Sequence, residues 1–210
     1  MLKFLLFGLI ALFLAASSGC TFATVVSLEE NEQARGGFDA VGYVDGIWSG
    51  QVVPTATEQA VPLTELLPQI EANQNAAIEA HGRRSGTGNY SFLTTVTATG
   101  RELNTESQAG LLLLDVPDYS GPAQIALAVG PVIRGDAVRD GVGFIQFNDF
   151  VNQMDFAAVS RALKDRIAQD VLAPIDLTSL VGKQLRIVGA FTLTNPADIV
   201  IAPVQIEVLQ

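Results

Sequence analysis

Residues 130–156, GPVIRGDAVRDGVGFIQFNDFVNQMDF, concentrate the side chains able to do chemistry. Asp136 and Asp140 are four residues apart, a spacing that puts both carboxylates on one face of a helix. Paired carboxylates do general acid–base work. Arg134 and Arg139 are interleaved with them, however, and opposite charges at such spacings more commonly form a surface or interface salt-bridge cluster. With Asp149 the three carboxylates could offer oxygen ligands to calcium, but the D-x-D-x-D-G order of a calcium loop is absent. Arg134-Gly135-Asp136 spells an adhesion tripeptide, and three residues are too few to carry that function. Asn152 and Gln153 stand among Phe150, Met154 and Phe156. Amides beside rings are what a sugar or polyol pocket uses; the competing role is to tie the start of a helix to unpaired backbone groups. These residues, Arg134, Asp136, Arg139, Asp140, Asp149, Asn152 and Gln153, are the expected contact surface.

Elsewhere the chemistry is sparse. His81 is the only histidine, which builds neither a zinc site nor an identifiable triad. No G-x-S-x-G elbow, phosphate loop or C-x-x-C pair occurs. No metal, cofactor or catalytic residue is therefore expected. The net charge of −10, from 12 basic and 22 acidic residues, argues against nucleic acid as a partner, because phosphate backbones are held by clustered lysine and arginine.

The N-terminus points to export. Lys3 precedes an apolar run from Phe4 to Ala16, followed by small residues up to Gly19 and then Cys20, the only cysteine. That order is the order of a secretory signal. Ser-Gly-Cys resembles a lipobox, whose cysteine carries the lipid, although Ser17 stands where leucine is favoured. An alternative is an uncleaved anchor from Phe4 to about Val26. Either way the expectation is an exported chain held at a membrane: signal peptide 1–19, a lipid-anchored tether 20–37, a helical segment 38–84 and a sheet domain 85–210.

Those later segments must position the central stretch. Apolar residues at Phe38, Val41, Val44 and Trp48 recur at helical spacing. Pro54 is expected to end that helix, and Thr55 with Glu58 has capping-box spacing. A helical face then continues from Leu63 to His81, with a kink or restart at Pro68 and a stop at Gly82. From residue 86 the pattern changes to β-branched and alternating runs at 89–99, 111–116 and 123–129. A helix from about residue 150 to 171 follows, capped by Asn148 or Asp149, with Arg161–Asp165 and Arg166–Asp170 as i,i+4 pairs. Strands at 183–194, with Gly189 as a bulge, and at 199–209 complete the chain. Five strands with a helix between the third and fourth is the order of an OB-type barrel. The expected class is thus α+β, mainly β: an OB-like five-stranded barrel with a helical insertion between strands 3 and 4, preceded by an N-terminal helical segment. An open sheet with one helix across it is the rival.

FDAVGYVDGIW at Phe38–Trp48, the helix ending in His81-Gly82-Arg83, GPVIRGDAVRD, GFIQFNDFVNQMDFAAVSRAL, GKQLRIVGAFTL and IAPVQIEVL together resemble a family of predicted bacterial periplasmic lipoproteins, domain of unknown function 2291. The resemblance implies an exported lipoprotein with no assigned activity, working beside ribose-type sugar ABC uptake systems. The functional expectation is a lipid-anchored, non-enzymatic binding or accessory module, with membrane and transporter components as partners. An envelope hydrolase using Asp136 and Asp140, or a purely structural lipoprotein, are the alternatives.

Overall fold

The computed structural model describes residues 37–209. Residues Asp39–Gln210 form one unit and Met1–Phe38 another. The expected signal peptide, Cys20, the alternative N-terminal anchor and nearly all of the tether lie outside the described residues. Among the described residues, no helix is long and apolar enough to cross a membrane.

Helix α1, Ala40–Ile47, begins at Asp39, whose carboxylate accepts a hydrogen bond from the Gly42 N–H at 2.8 Å. It does not stop before Pro54. The backbone widens into a π-helical turn, Trp48–Val52, and continues as α2, Val53–Glu58, with Pro54 in the first turn. The wide turn accommodates a residue that cannot donate to the helical ladder. The Thr55–Glu58 capping box is not formed: Val52 holds the cap position without a side-chain bond. After a two-residue strand β1, Val61–Pro62, helix α3 runs Leu63–His81. Its kink falls at Asn73 (φ −159°, ψ 91°), not at Pro68, and the Asn73 side chain accepts from Ala76 N–H, capping the second half. Gly82 closes the helix as expected, donating to Ile78 C=O at 2.8 Å.

The sheet comprises β1 and five longer strands: β2 (Ser91–Asn104), β3 (Leu111–Asp115), β4 (Gln124–Ala128), β5 (Gln184–Thr192) and β6 (Asp198–Val208). β2 is longer than expected because it runs through Gly100, where the register shifts. Its first half pairs with β5 and its second half with β3, so the hydrogen-bonded order β2-β3-β4-β6-β5 returns to β2. The β4–β6 pairing is parallel and the other long pairs are antiparallel. β1 lies parallel to β2, and Thr94 Oγ1 donates to Val61 C=O at 2.8 Å, which fastens the N-terminal helices to the sheet. The expected bulge is present: the β5–β6 register shifts at Gly189, where a Cβ would collide with Ala202 C=O and sit 2.7 Å from Ile201 Cγ2.

Between β4 and β5 run α4, Ala137–Val142, and α5, Gln153–Arg166, which widens into a π-helical turn at Ile167–Leu172. The long helix is therefore shorter at its start than expected. Residues 147–149 form a separate 3-10 turn, and Asn152 is the cap instead of Asn148 or Asp149. Arg166 pairs with Asp170 at 2.9 Å, as the spacing predicts, and also with Asp45 of α1 at 3.1 Å; the Arg161–Asp165 pair is absent from the ion pairs among the described residues. One core unites these layers. Trp48, Leu66 and Leu67 from the N-terminal helices join Phe92, Ile145, Leu163, Ile187 and Phe191 in it.

Candidate functional site

The crossover into α4 is pinned where it leaves β4. Val129 and Gly130 N–H donate to Gly110 C=O at 2.9 and 3.0 Å, and Val132 N–H donates to Gln108 C=O at 3.0 Å. Gly130 lies so close to Gly110 that a Cβ there would overlap its backbone. This contact sets Val132 and Arg134 against the β2–β3 loop. A groove of about 410 Å³ results, within the range of small-molecule sites. Leu111, Ala128, Val200 and Ala202 supply apolar walls. Ser107, Thr192 and Thr194 supply hydroxyls, Asp198 a carboxylate and Arg134 a guanidinium. Arg134 is exposed and, among the described residues, has neither a hydrogen-bond nor an ion-pair partner.

Of the expected contact residues, Arg134 alone lines this groove. The carboxylates go elsewhere. Asp136 stands just before α4 and Asp140 lies within it, and Arg139 reaches both: 3.4 Å to Asp136 Oδ2 and 2.8 Å to Asp140 Oδ1. The same guanidinium donates to Ser160 Oγ at 2.7 Å and lies 3.8 Å from the centroid of the Phe156 ring. Arg139 and Asp140 are each only 8% exposed. The expected salt-bridge cluster forms, but these two members are buried between α4 and α5 and do not lie on a contact surface. Burial pushes the Asp140 carboxyl above its ordinary pKa, against the opposing pull of the Arg139 charge and hydrogen bond. Lys164 completes the network, at 3.3 Å from Asp136 Oδ1 and 3.1 Å from Gly135 C=O. The cavity beside Asp136, Arg139 and Lys164 is about 10 Å³, room for about one water. A guanidinium shared by both carboxylates organises packing; it leaves no space for a substrate between them.

Asp149 is exposed, and its carboxylate accepts the Gln146 N–H at 2.9 Å to form a capping box around the 3-10 turn. Asn152 caps α5: its side-chain oxygen accepts from Met154 and Asp155 N–H at 2.8 and 3.0 Å, and its amide donates to Asp155 Oδ2 at 2.9 Å. Both ends of that amide are therefore spent on the helix start. Gln153 is exposed in the first turn. Asn152→Ala is expected to cost about 1 kcal/mol in stability, with Asn152→Ser losing less, because its hydroxyl can still accept the cap bond and sets no charge against Asp155. Chemical denaturation reads the difference, and an equal loss in both variants would argue against the capping role.

Sequence reasoning missed Ser160 and Lys164, and also the groove residues Ser107, Thr192, Thr194 and Asp198. Ser160 carried a readable signal. It is a hydroxyl on the apolar face of an amphipathic helix, four residues from Phe156, where a buried polar group needs a partner. The groove residues carried none, since they come from separate loops and strands. Among the described residues, no group of three or more His, Cys, Asp or Glu is placed to hold a metal.

The architecture is shared with a solved structure. An OB-fold protein from Thermotoga maritima superimposes with a TM-score of 0.65 over 82% of this chain and 99% of its own, at 19% identity. No curated protein matches the sequence. Residues 10–207 match the family described as predicted periplasmic lipoprotein (DUF2291), and the chain belongs to that family.

Proposed function

We propose that this protein is a non-enzymatic binding module of the cell envelope, anchored through Cys20, with its ligand in the groove beside Arg134. The observation that carries this reading is an unpartnered guanidinium at the edge of a half-apolar groove of about 410 Å³. An exposed arginine with no internal partner is free to pair with a planar anionic group, which its fork geometry fits. The three hydroxyls and Asp198 suit a polyhydroxylated body beside that anion. We read the ring of strands β2 to β6 as a five-stranded barrel of OB type. In such barrels the loops joining strands one to two and four to five flank the usual binding face. Here the corresponding β2–β3 and β5–β6 loops provide Ser107, Ala109 and Thr194.

The ligand class that fits is a small sugar acid. Titration calorimetry with gluconate, glucuronate and galacturonate is the test. Saturable binding to at least one of them, weakened about tenfold or more in Arg134→Gln, is the expected result. No saturable binding to any, or binding indifferent to Arg134→Gln, removes the ligand reading. The module is further proposed to work beside a sugar uptake system. Recovery of a transporter component with the protein from native membranes supports that; failure under conditions that retain known subunits sinks it. The alternative of a hydrolase at Asp136 and Asp140 gains no support from a carboxylate pair held in ion pairs by Arg139 and Lys164.

A further inference from the structure

The loop between α4 and α5 leaves apolar side chains in water. Val151 is 95% exposed, and Phe147 on the same loop and Met154 in the first turn of α5 are also exposed. Exposed apolar groups scattered singly need no explanation, but three within eight residues at one end of a helix form a patch. The position of that patch is informative. Tyr43 of α1 meets Phe150 edge-on, with ring centroids 5.7 Å apart, and Phe150 in turn packs on Phe156 at 5.6 Å. Two residues further along α1, Asp45 pairs with Arg166, near the far end of α5. Asp39 lies one helical turn before Tyr43 on the same face, so the start of α1 is near this loop.

We infer that the patch of Phe147, Val151 and Met154 is a membrane-facing tip that dips into a zwitterionic lipid surface. The inference rests on anchoring through Cys20. Eighteen residues, 20–37, separate the anchor from the domain, and they span at most about 60 Å. That reach does not press the domain onto the bilayer, but it confines it nearby, so a contact too weak to hold a free protein becomes occupied. The charge pattern selects the lipid. Neither residues 36–82 nor residues 140–160 contain a lysine or arginine. Asp39 and Asp149 are exposed beside the patch, and Asp149 is near enough that its charge, after burial, raises the pKa of Tyr43. A surface of this kind is repelled by anionic head groups instead of being held by them, and it enters the interface by apolar contact.

The test uses the full chain, purified with its anchor and reconstituted into vesicles of phosphatidylcholine and phosphatidylethanolamine. An environment-sensitive dye is placed at Val151→Cys and, in a separate protein, at Asn195→Cys in the β5–β6 turn. Quenching by nitroxide on the lipid acyl chains should be about twofold or more stronger at position 151 than at 195. The difference should vanish when Met154→Asp is added, persist in high salt, and shrink when phosphatidylglycerol replaces the zwitterionic lipids. Equal quenching at both positions, in a protein that floats with the vesicles, overturns the inference and leaves anchoring intact. A dye at 151 that is shielded without vesicles points to a second copy on the loop and also overturns it. A protein that does not float overturns both the inference and the anchoring it rests on.

Discussion

Replacing Arg139 by methionine should destabilise the protein by about 3–5 kcal/mol, because it strands a buried carboxylate. Asp140 loses the cation 2.8 Å away, Ser160 loses its hydrogen-bond donor, and the Phe156 ring loses the charge over its face. Asp136 keeps Lys164 at 3.3 Å, so Asp140 carries most of the deficit. The double variant Arg139→Met with Asp140→Leu should recover much of the loss, since an apolar pair of similar volume carries no desolvation penalty. The pH dependence has a definite sign. In the native protein the Asp140 carboxyl titrates above 3.8, its ordinary value, because it is buried. Between that value and the higher folded one, the folded state binds more protons than the unfolded state, so stability from this group falls as pH rises. Without Arg139 both influences that hold the pKa down disappear and the window extends upward. The deficit of Arg139→Met should therefore be smaller near pH 4 than at pH 7. Urea unfolding at both pH values checks this; an identical deficit would show that Asp140 is not the stranded group.

Phe191→Ala should cost a similar amount, about 3–5 kcal/mol, by opening a cavity where the sheet returns on itself. Phe191 and Phe92 are direct partners in the β5–β2 register and neither is exposed. Their rings stack at 5.3 Å with planes 14° apart, an arrangement worth about 1 kcal/mol beyond burial. Position 191 therefore reports on the pairing that joins the last part of the sheet to the first. Phe147→Ala is the matched control, since that ring is partly exposed; it should cost under about 1 kcal/mol. A Phe191→Ala loss as small as that of the control would mean that the β2–β5 contact is not what holds the two halves together.

Much of the fold was legible because strands and helices announce themselves through local periodicity. The alternation in KQLRIVGAFTLT places β5, and its internal glycine marks the bulge at which the β5–β6 register shifts. The stripe Phe156, Val159, Leu163, Ile167 places the buried face of α5. Boundaries went wrong where two local rules competed. Pro54 reads as a stop, yet a widened turn absorbs it, and α3 bends at Asn73 instead of at Pro68. At the start of α5 the expected caps were Asn148 and Asp149. Asn152 takes the position because Asp149 is already committed to the 3-10 turn before it.

The site was far less legible. Arg134, Arg139, Asp136 and Asp140 read in sequence as one mixed-charge cluster, but the structure divides them. Arg139 and Asp140 turn inward because Ser160, some twenty residues later, and the Phe156 ring offer a satisfied place for the charge. Arg134 stays outside, with Ser107 and Thr194 brought to it from loops on opposite sides in sequence. By itself the sequence determined the class and order of the long strands and helices, because these follow from short-range spacing, and its matching stretches carried the likeness to the lipoprotein family. Only the tertiary structure decided which charges are buried, that Arg134 stands unpaired among the described residues, and where a groove opens. Those outcomes depend on the desolvation and pairing of groups far apart in the chain, and no local pattern records them.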